Sequence, residues 1–204
     1  MQAEIEVRFP NVNPDSLRRK LRGLGAACAE PMHAMRRAIL DYPDRRLQIG
    51  QEDAWGFVRV RDDGKKTVIT YKRVAKNDNK DTYEIEFEAS SFEKAIELFE
   101  AIGLQKHGEQ HTRRELWKLD SCDVTIDEWP WLEPMVEIEG PDETSVHAVA
   151  DKLGFSWEAR MLGNAQDVYS LKYPGIGEHE SISQIPLLTF EGDMPQWLKD
   201  RQHK

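Results

Sequence analysis

The chain has 204 residues, of which 39% are hydrophobic and 32% charged, and its formal net charge at pH 7 is −9. This composition is typical of a soluble globular protein, and the negative charge argues against a protein that coats nucleic acid. No apolar run is long enough to span a membrane, and no secretory leader precedes the first strand pattern. We therefore expect a cytoplasmic protein, without a membrane partner, in which Cys28 and Cys122 are free thiols.

The N-terminal half begins with a strand and a helix, and four further strands follow. Residues 3–9 alternate charged and apolar side chains, which is typical of a strand with one buried face. Asn13 and Pro14 predict the start of a helix, and Gly25 predicts its end. The next strands are predicted at 34–41, 55–62, 67–73 and 82–88.

The C-terminal half repeats this alternation. Ser90 and Glu93 predict a capping box for a second helix. Three more strands are predicted, at 111–119, at 122–128 and at the Glu-Ile-Glu segment 137–139. A third helix is predicted from about Asp142 to Gly154. The pattern at 165–173 fits either a helix or a strand.

The hydrophobic periodicity fades from Pro174 onward, and this divides the sequence into two predicted regions. We predict one domain over residues 1–173 and a C-terminal extension over residues 174–204. Pro, Gly and acidic residues dominate the extension, which predicts a tail or lid with a short helix near Trp197.

The predicted strands have one apolar face and one charged face. The tripeptide Glu-Ile-Glu occurs at 4–6, 84–86 and 137–139, and each copy directs two glutamates to the same side of its strand. The charged face comprises Glu4, Glu6, Arg8, Arg59, Arg61, Lys72, Glu84, Glu86, Glu88, Arg114, Asp127, Glu137 and Glu139. A solvated open face is one explanation of this pattern.

A bound ligand is the other explanation. Glu4 and Glu6 lie roughly 7 Å apart along one strand, as do Arg59 and Arg61, and like charges this close repel each other. Paired carboxylates suit Mg²⁺ or Mn²⁺, whereas arginine and lysine suit phosphate oxygens. A metal-bound polyphosphate would satisfy both sets of charges.

The same residues resemble a known family. Glu4-Ile-Glu-Val-Arg8 is similar to the ExExK signature of the CYTH superfamily, the triphosphate tunnel metalloenzymes, and the resemblance extends over roughly residues 2–173. It implies an α+β fold: an eight-stranded antiparallel β-barrel, the tunnel, with helices packed on the outside. Family activities include class IV adenylate cyclase, thiamine triphosphatase and inorganic triphosphatase, all with a triphosphate-containing small molecule and a divalent metal.

The resemblance also implies roles for individual residues. The implied metal ligands are Glu4, Glu6, Glu137 and Glu139, with Asp127 as a candidate for a second site. The implied phosphate-binding residues are Arg8, Arg59, Arg61, Lys72 and Arg114, and Arg8 and Lys72 are also the candidate catalytic residues. Glu84 and Glu86 would hold the basic side chains in place or help to bind the metal.

Two positions depart from the family pattern. Arg8 replaces the lysine of the motif and, because arginine stays charged, it cannot act as a general base. Thr112 stands where a basic residue is often found. A metal-dependent triphosphatase is the preferred interpretation, with a class IV-type cyclase and a non-catalytic binding module as alternatives. A homodimer is also left open.

Overall fold

The structure of the protein is a computed structural model that describes residues 5–50, 54–75, 82–177 and 180–201. Glu4, one of the predicted metal ligands, lies outside these residues. The chain forms two compact units. The first unit comprises Met1–His33, Thr112–Gly177 and Met194–Lys204, and the second comprises Ala34–His111 and Glu178–Asp193.

Strands and helices alternate along the chain much as the sequence predicts. The strands are β1 Ile5–Phe9, β2 Ala27–Asp41, β3 Ala54–Asp62, β4 Thr67–Ala75, β5 Thr82–Ala89, β6 Gln105–Leu119, β7 Cys122–Glu128, β8 Met135–Gly140 and β9 Leu187–Leu188. The helices are α1 Pro14–Gly23, α2 Arg46–Ile49, α3 Phe92–Ala101, α4 Glu143–Leu153, α5 Ala165–Lys172 and α6 Gln196–Lys199. None of the helices described is both long and apolar enough to cross a membrane.

The first unit is built on the antiparallel run β1-β8-β7-β6. Helix α4 packs on β1, β7 and β8, and helix α1 packs on α4. The apolar residues of alternate strand positions, such as Val7 and Ile138, are buried together with Leu21 of α1. The caps fix the helix starts: Asn13 accepts a hydrogen bond from the Ser16 backbone N–H, and caps of this kind stabilise a helix by about 1 kcal/mol.

The second unit is built on the antiparallel run β2-β3-β4-β5, and α3 packs on β3 and β4. Its core contains Val58 and Val60 of β3, Ile69 of β4 and Phe92 of α3. The short strand β9 pairs in parallel with β6 at Glu109 and Gln110. Strands β2 and β6, which have 15 residues each, contribute to both units.

The predicted fold class, an α+β fold with eight antiparallel strands and helices packed on the sheet, is confirmed. Among the strands described, neither run is closed on itself by backbone hydrogen bonds. The short helix expected near Trp197 is present as α6, and the ambiguous segment 165–173 is a helix, α5. Both cysteines are free thiols: Cys28 is exposed and Cys122 is buried.

Three local expectations are corrected. Ser91, not Ser90, caps α3, because Ser91 has the extended backbone of a cap (φ −158°) and accepts from the Lys94 N–H. Strand β2 begins seven residues earlier than predicted, at Ala27. Ile85 and Phe87, assigned to the buried face, are 44% and 54% exposed, because α3 packs on β3 and β4 rather than centrally on β5.

Candidate functional site

The charged face of the first unit is assembled by strand register. Arg8 of β1 lies opposite Glu137 of β8, and Glu6 lies opposite Glu139. On the other side of β8, Thr125 of β7 lies opposite Glu137. Residues that are directly opposite in an antiparallel pair have side chains on the same face. Arg114 of β6 lies opposite Asp127 of β7, so four neighbouring strands bring the predicted residues of this unit together on one face.

Arg8 joins two glutamates on this face. Its Nε donates to Oε1 of Glu137 at 2.7 Å, and its Nη2 donates to Oε1 of Glu6. The Arg8 and Glu137 side chains are only 12% and 13% exposed, so the pair is shielded from water. These carboxylates hold the pKa of Arg8 above its ordinary value, despite the opposing effect of burial. Arg8 is therefore a fixed positive charge.

Arg114 binds two carboxylates, that of Asp127 and the Glu137 carboxylate that Arg8 also contacts. Its Nε and Nη2 donate to Oδ1 and Oδ2 of Asp127 at 2.6 and 2.7 Å, and Nη2 also donates to Oε2 of Glu137 at 2.6 Å. The Thr125 hydroxyl adds a donor to Asp127 at 3.0 Å. Planar, bidentate pairing of this kind is specific to arginine. Glu137 is thus the centre of a network of two arginines and three carboxylates.

The network shifts the pKa values of Glu6 and Glu137 in opposite directions. Burial, together with the charge of Glu137, raises the pKa of Glu6 to about 7. Burial also opposes ionisation of Glu137, but Arg114 and Arg8 outweigh it and hold the pKa of Glu137 below its ordinary value. The pair therefore carries less negative charge at neutral pH than two independent carboxylates would.

The donor chemistry of this face fits a hard divalent cation. Glu6, Glu137 and Glu139 offer only carboxylate oxygens, the ligand type that Mg²⁺ and Mn²⁺ prefer. Among the described residues, no group of three or more acidic, histidine or cysteine side chains is already gathered around one point. Asp127 accepts three hydrogen bonds from Arg114 and Thr125, so its metal-binding role stays a prediction and would compete with these contacts.

The charged face of the second unit is dominated by arginine. Arg59 and Arg61 lie on the same side of β3, and Arg37 of β2 lies directly opposite Arg61. The Nε–H group of Arg61 is buried, and it has no hydrogen-bond partner among the described residues. Like charges directly opposite each other destabilise a sheet. This part of the face therefore favours an anion.

Polar contacts orient the adjacent basic residues. Nη2 of Arg59 donates to the Thr70 hydroxyl at 3.2 Å, and that hydroxyl donates to Oε2 of Glu86 at 2.9 Å. Nζ of Lys72 lies 3.3 Å from Oε2 of Glu84. Of the predicted supporting positions, Glu84 thus contacts Lys72 directly, whereas Glu86 is linked to Arg59 only through the Thr70 hydroxyl.

Two residues of this face were missed from the sequence. Arg37 follows Arg36 directly, and only the register shows which of the two shares a face with Arg61. Arg36 instead pairs with Asp62 and Glu93. Thr70, fully buried, was missed because a threonine in a strand carries no signal by itself. The alternation within β2 could have identified Arg37, since Ala38 and Leu40 are core residues.

The chain belongs to the CYTH domain family. The model of the CYTH domain matches residues 2–165, which is most of the chain. No curated protein matches the chain significantly. The family, predicted from the order of charged strands, is therefore confirmed, and its members bind triphosphate-containing substrates.

Solved structures agree with this assignment. Protein PH1012 from Pyrococcus horikoshii OT3 is 27% identical, with a TM-score of 0.63, and the match covers 81% of this chain and 99% of that one. A proposed adenylate cyclase from Vibrio parahaemolyticus is 15% identical, with a TM-score of 0.67, over 83% and 98% of the two chains. The Hippeastrum protein HpAC1, a proposed adenylyl cyclase described as having a dominant triphosphatase activity, is 12% identical, with a TM-score of 0.53, over 82% and 94%. The latter two similarities establish the fold alone.

Proposed function

We propose that the protein is a metal-dependent triphosphatase that hydrolyses a phosphoanhydride bond of a triphosphate-containing small molecule. The observation that carries this proposal is the cluster of Arg37, Arg59 and Arg61 on one face of two neighbouring strands. Membership of the CYTH family supports a triphosphate as the anion.

The arginine cluster suits a chain of phosphates better than a single anion. Arg37 and Arg61 are cross-strand neighbours, and Arg59 follows about 7 Å further along β3. A polyphosphate carries several negative charges in a row and can neutralise guanidinium groups at such spacings. Each arginine can also bind two phosphate oxygens at once. Lys72, on the adjacent strand β4, adds a single point charge to the same face.

The glutamates of the first unit are the proposed metal ligands. Glu6, Glu137 and Glu139 would hold Mg²⁺ or Mn²⁺, together with Glu4, which lies outside the described residues. When bound, the cation supplies a Lewis acid that neutralises charge on phosphate oxygens. Arg8 and Arg114 hold Glu137 ionised and oriented, although a metal at Glu137, as at Asp127, would compete with these hydrogen bonds.

The basic side chains supply the remaining catalytic effect. Arg8 remains protonated and so cannot take a proton from water. We therefore assign to Arg8 and Arg114 the role of stabilising charge rather than transferring protons, and to Lys72 a phosphate-binding role at the catalytic site. Phosphoryl transfer depends chiefly on such positioning and charge neutralisation, so a site without a lysine at position 8 can still support hydrolysis.

Product analysis tests the proposal. The purified protein is incubated with tripolyphosphate, thiamine triphosphate or ATP, each with Mg²⁺ or Mn²⁺, and the products are separated. We expect orthophosphate from at least one substrate. Cyclic AMP with pyrophosphate would identify a cyclase instead, and metal-dependent binding without any product would identify a binding module.

Two variants connect that activity to the residues named here. Arg61→Met removes one phosphate-binding charge and should reduce turnover at least about tenfold, since a hydrogen bond to a charged group contributes about 1.5–3 kcal/mol. Arg113→Met is the matched control, because Arg113 is exposed on β6 and pairs with Glu128. Equal activity of both variants would show that Arg61 does not contact the substrate.

A further inference from the structure

Strand β3 carries two aromatic side chains on the same face as its arginines. Trp55, Phe57, Arg59 and Arg61 occupy alternate positions of the strand, so all four point to one side. The rings of Trp55 and Phe57 are neighbours, with centroids 6.2 Å apart and an angle of 30° between their planes. Both residues are only partly buried. The face therefore changes from aromatic to cationic along a single strand.

The core cluster on the other face of β3 does not include these two rings. The core of the second unit is formed from the opposite face of β3, where Ala54, Val58 and Val60 are buried. In register, Trp55 lies opposite Val74 and Phe57 lies opposite Lys72. Val74 is buried, but both rings remain partly open to water, which costs hydrophobic free energy that complete burial would recover.

The backbone between the two rings is packed closely against the neighbouring strand. Gly56 lies between them, and a Cβ atom at this position would lie 2.4 Å from the carbonyl oxygen of Lys72. The backbones of β3 and β4 therefore approach each other closely at this point. A rigid base is what a stacking surface needs, because little conformational freedom is then lost on binding.

The aromatic pair adjoins the phosphate-binding arginines directly. The Arg59 guanidinium lies 5.9 Å from the ring centroid of Phe57. Along the strand, Phe57 is about 7 Å and Trp55 about 13 Å from Arg59. A sugar and its first phosphate can bridge such distances between a stacked ring and a bound phosphate.

We propose that Trp55 and Phe57 form a stacking platform for a planar aromatic ring that is attached to the triphosphate. The substrate class is then an organic triphosphate, such as a nucleoside triphosphate, rather than inorganic tripolyphosphate. This inference rests on the proposed function for the phosphate-binding role of Arg59 and Arg61, but it concerns the other end of the substrate.

Binding experiments on the native chain test the platform without any substitution. The probes are the β,γ-methylene analogue of ATP, which resists hydrolysis, and the corresponding ribose triphosphate analogue without a base, each titrated with Mg²⁺ by calorimetry. We expect the analogue with the base to bind about 5- to 150-fold more tightly, the range that corresponds to stacking of one base. Equal affinities would overturn the proposal. Thiamine triphosphate, whose rings differ from a nucleobase, shows which aromatic group is preferred.

Variants then assign the effect to these rings. Trp55→Leu and Phe57→Leu should each weaken binding of the ATP analogue and leave tripolyphosphate binding unchanged, and Trp55→Phe should restore part of the affinity. Tyr83→Leu is the matched control, because Tyr83 is an aromatic residue that is 57% exposed on β5. Its affinity for both ligands should remain that of the native chain.

The results separate this inference from the proposed function. Selective loss of ATP-analogue affinity in a protein that hydrolyses no triphosphate would retain the platform and refute the triphosphatase. Hydrolysis of triphosphates without any preference for an aromatic group would support the triphosphatase and refute the platform. A parallel loss of affinity for both ligands in the variants would show a general distortion of β3 and contradict the platform.

Discussion

The pair formed by Arg114 and Asp127 allows a quantitative test of the network in the first unit. Arg114→Met keeps most of the side-chain length but removes the charge, which leaves the Asp127 carboxylate, 1% exposed, without its bidentate partner. Breaking a buried ion pair in this way costs about 3–5 kcal/mol. Because the Arg114 side chain is 26% exposed, we expect a value near the lower end, about 3 kcal/mol. Asp127→Asn keeps an acceptor and should cost about 1.5–3 kcal/mol.

Urea unfolding of the two single variants and the double variant measures this effect. With a slope of about 2 kcal/mol per molar urea, Arg114→Met should lower the midpoint by about 1.5 M. The double variant should be less destabilised than the sum of the single variants, with a coupling of about 0.5–3 kcal/mol. Arg113→Met, at the exposed neighbouring position, should change stability by no more than about 1 kcal/mol. Strict additivity of the single variants would refute the pairing.

Three further predictions concern the scaffold. Leu21→Ala should lower the free energy of unfolding by about 2–5 kcal/mol in urea titrations, since Leu21 is fully buried against the first unit's core. Tyr169→Phe should cost about 1–3 kcal/mol in the same assay, because the buried hydroxyl donates to the Pro130 carbonyl at 2.6 Å; an unchanged midpoint would contradict that bond. The Ser145 backbone N–H donates to the Asp142 carboxylate at 2.8 Å and lowers the pKa of Asp142. The ionised Asp142 therefore stabilises the fold above the ordinary carboxyl pKa, and this stabilisation is lost as the pH falls through the lowered pKa. The stability difference between the native chain and Asp142→Ala should therefore shrink on acidification, and a constant difference would contradict this assignment.

Much of the fold follows from local patterns that the sequence displays directly. Alternation predicts the buried sides of the strands, and Val7, Val60 and Ile138 are buried as expected. Alternation alone fails where tertiary packing determines whether a side chain is buried. Ile85 and Phe87 alternate in the same way but remain exposed, because coverage by a helix depends on where α3 crosses the sheet.

Short-range ambiguities account for other differences. Ser90 and Ser91 are chemically identical, and the backbone conformation rather than the residue type selects the one that caps α3. The first part of β2, residues 27–33, contains Pro31 and is mostly exposed, so it lacks the alternation that identifies a strand. Helix α5 carries only two buried residues, Val168 and Tyr169, which give a weak helical pattern.

The membership of the charged faces was predictable, but the contacts within them were not. Alternation places Arg8, Glu6 and Glu137 on charged faces of their own strands. Their pairing requires β1 to lie beside β8, and this strand order is a property of the whole fold. Arg37 was missed for the same reason, since its relation to Arg61 exists only once β2 pairs with β3.

The position of β1 has a consequence for synthesis of the protein. The bond from Arg8 to Glu137 links residues that are 129 positions apart, and the other edge of β1 pairs at Met161. On the ribosome, where synthesis proceeds from the N-terminal side, β1 emerges well before β8 and Met161 and must wait for both of these partners. Closing so long a loop is slow, so β1 is among the last strands to dock. Nascent or truncated chains that end before β8 would therefore expose this strand, and chaperones or proteases can recognise them before any activity develops.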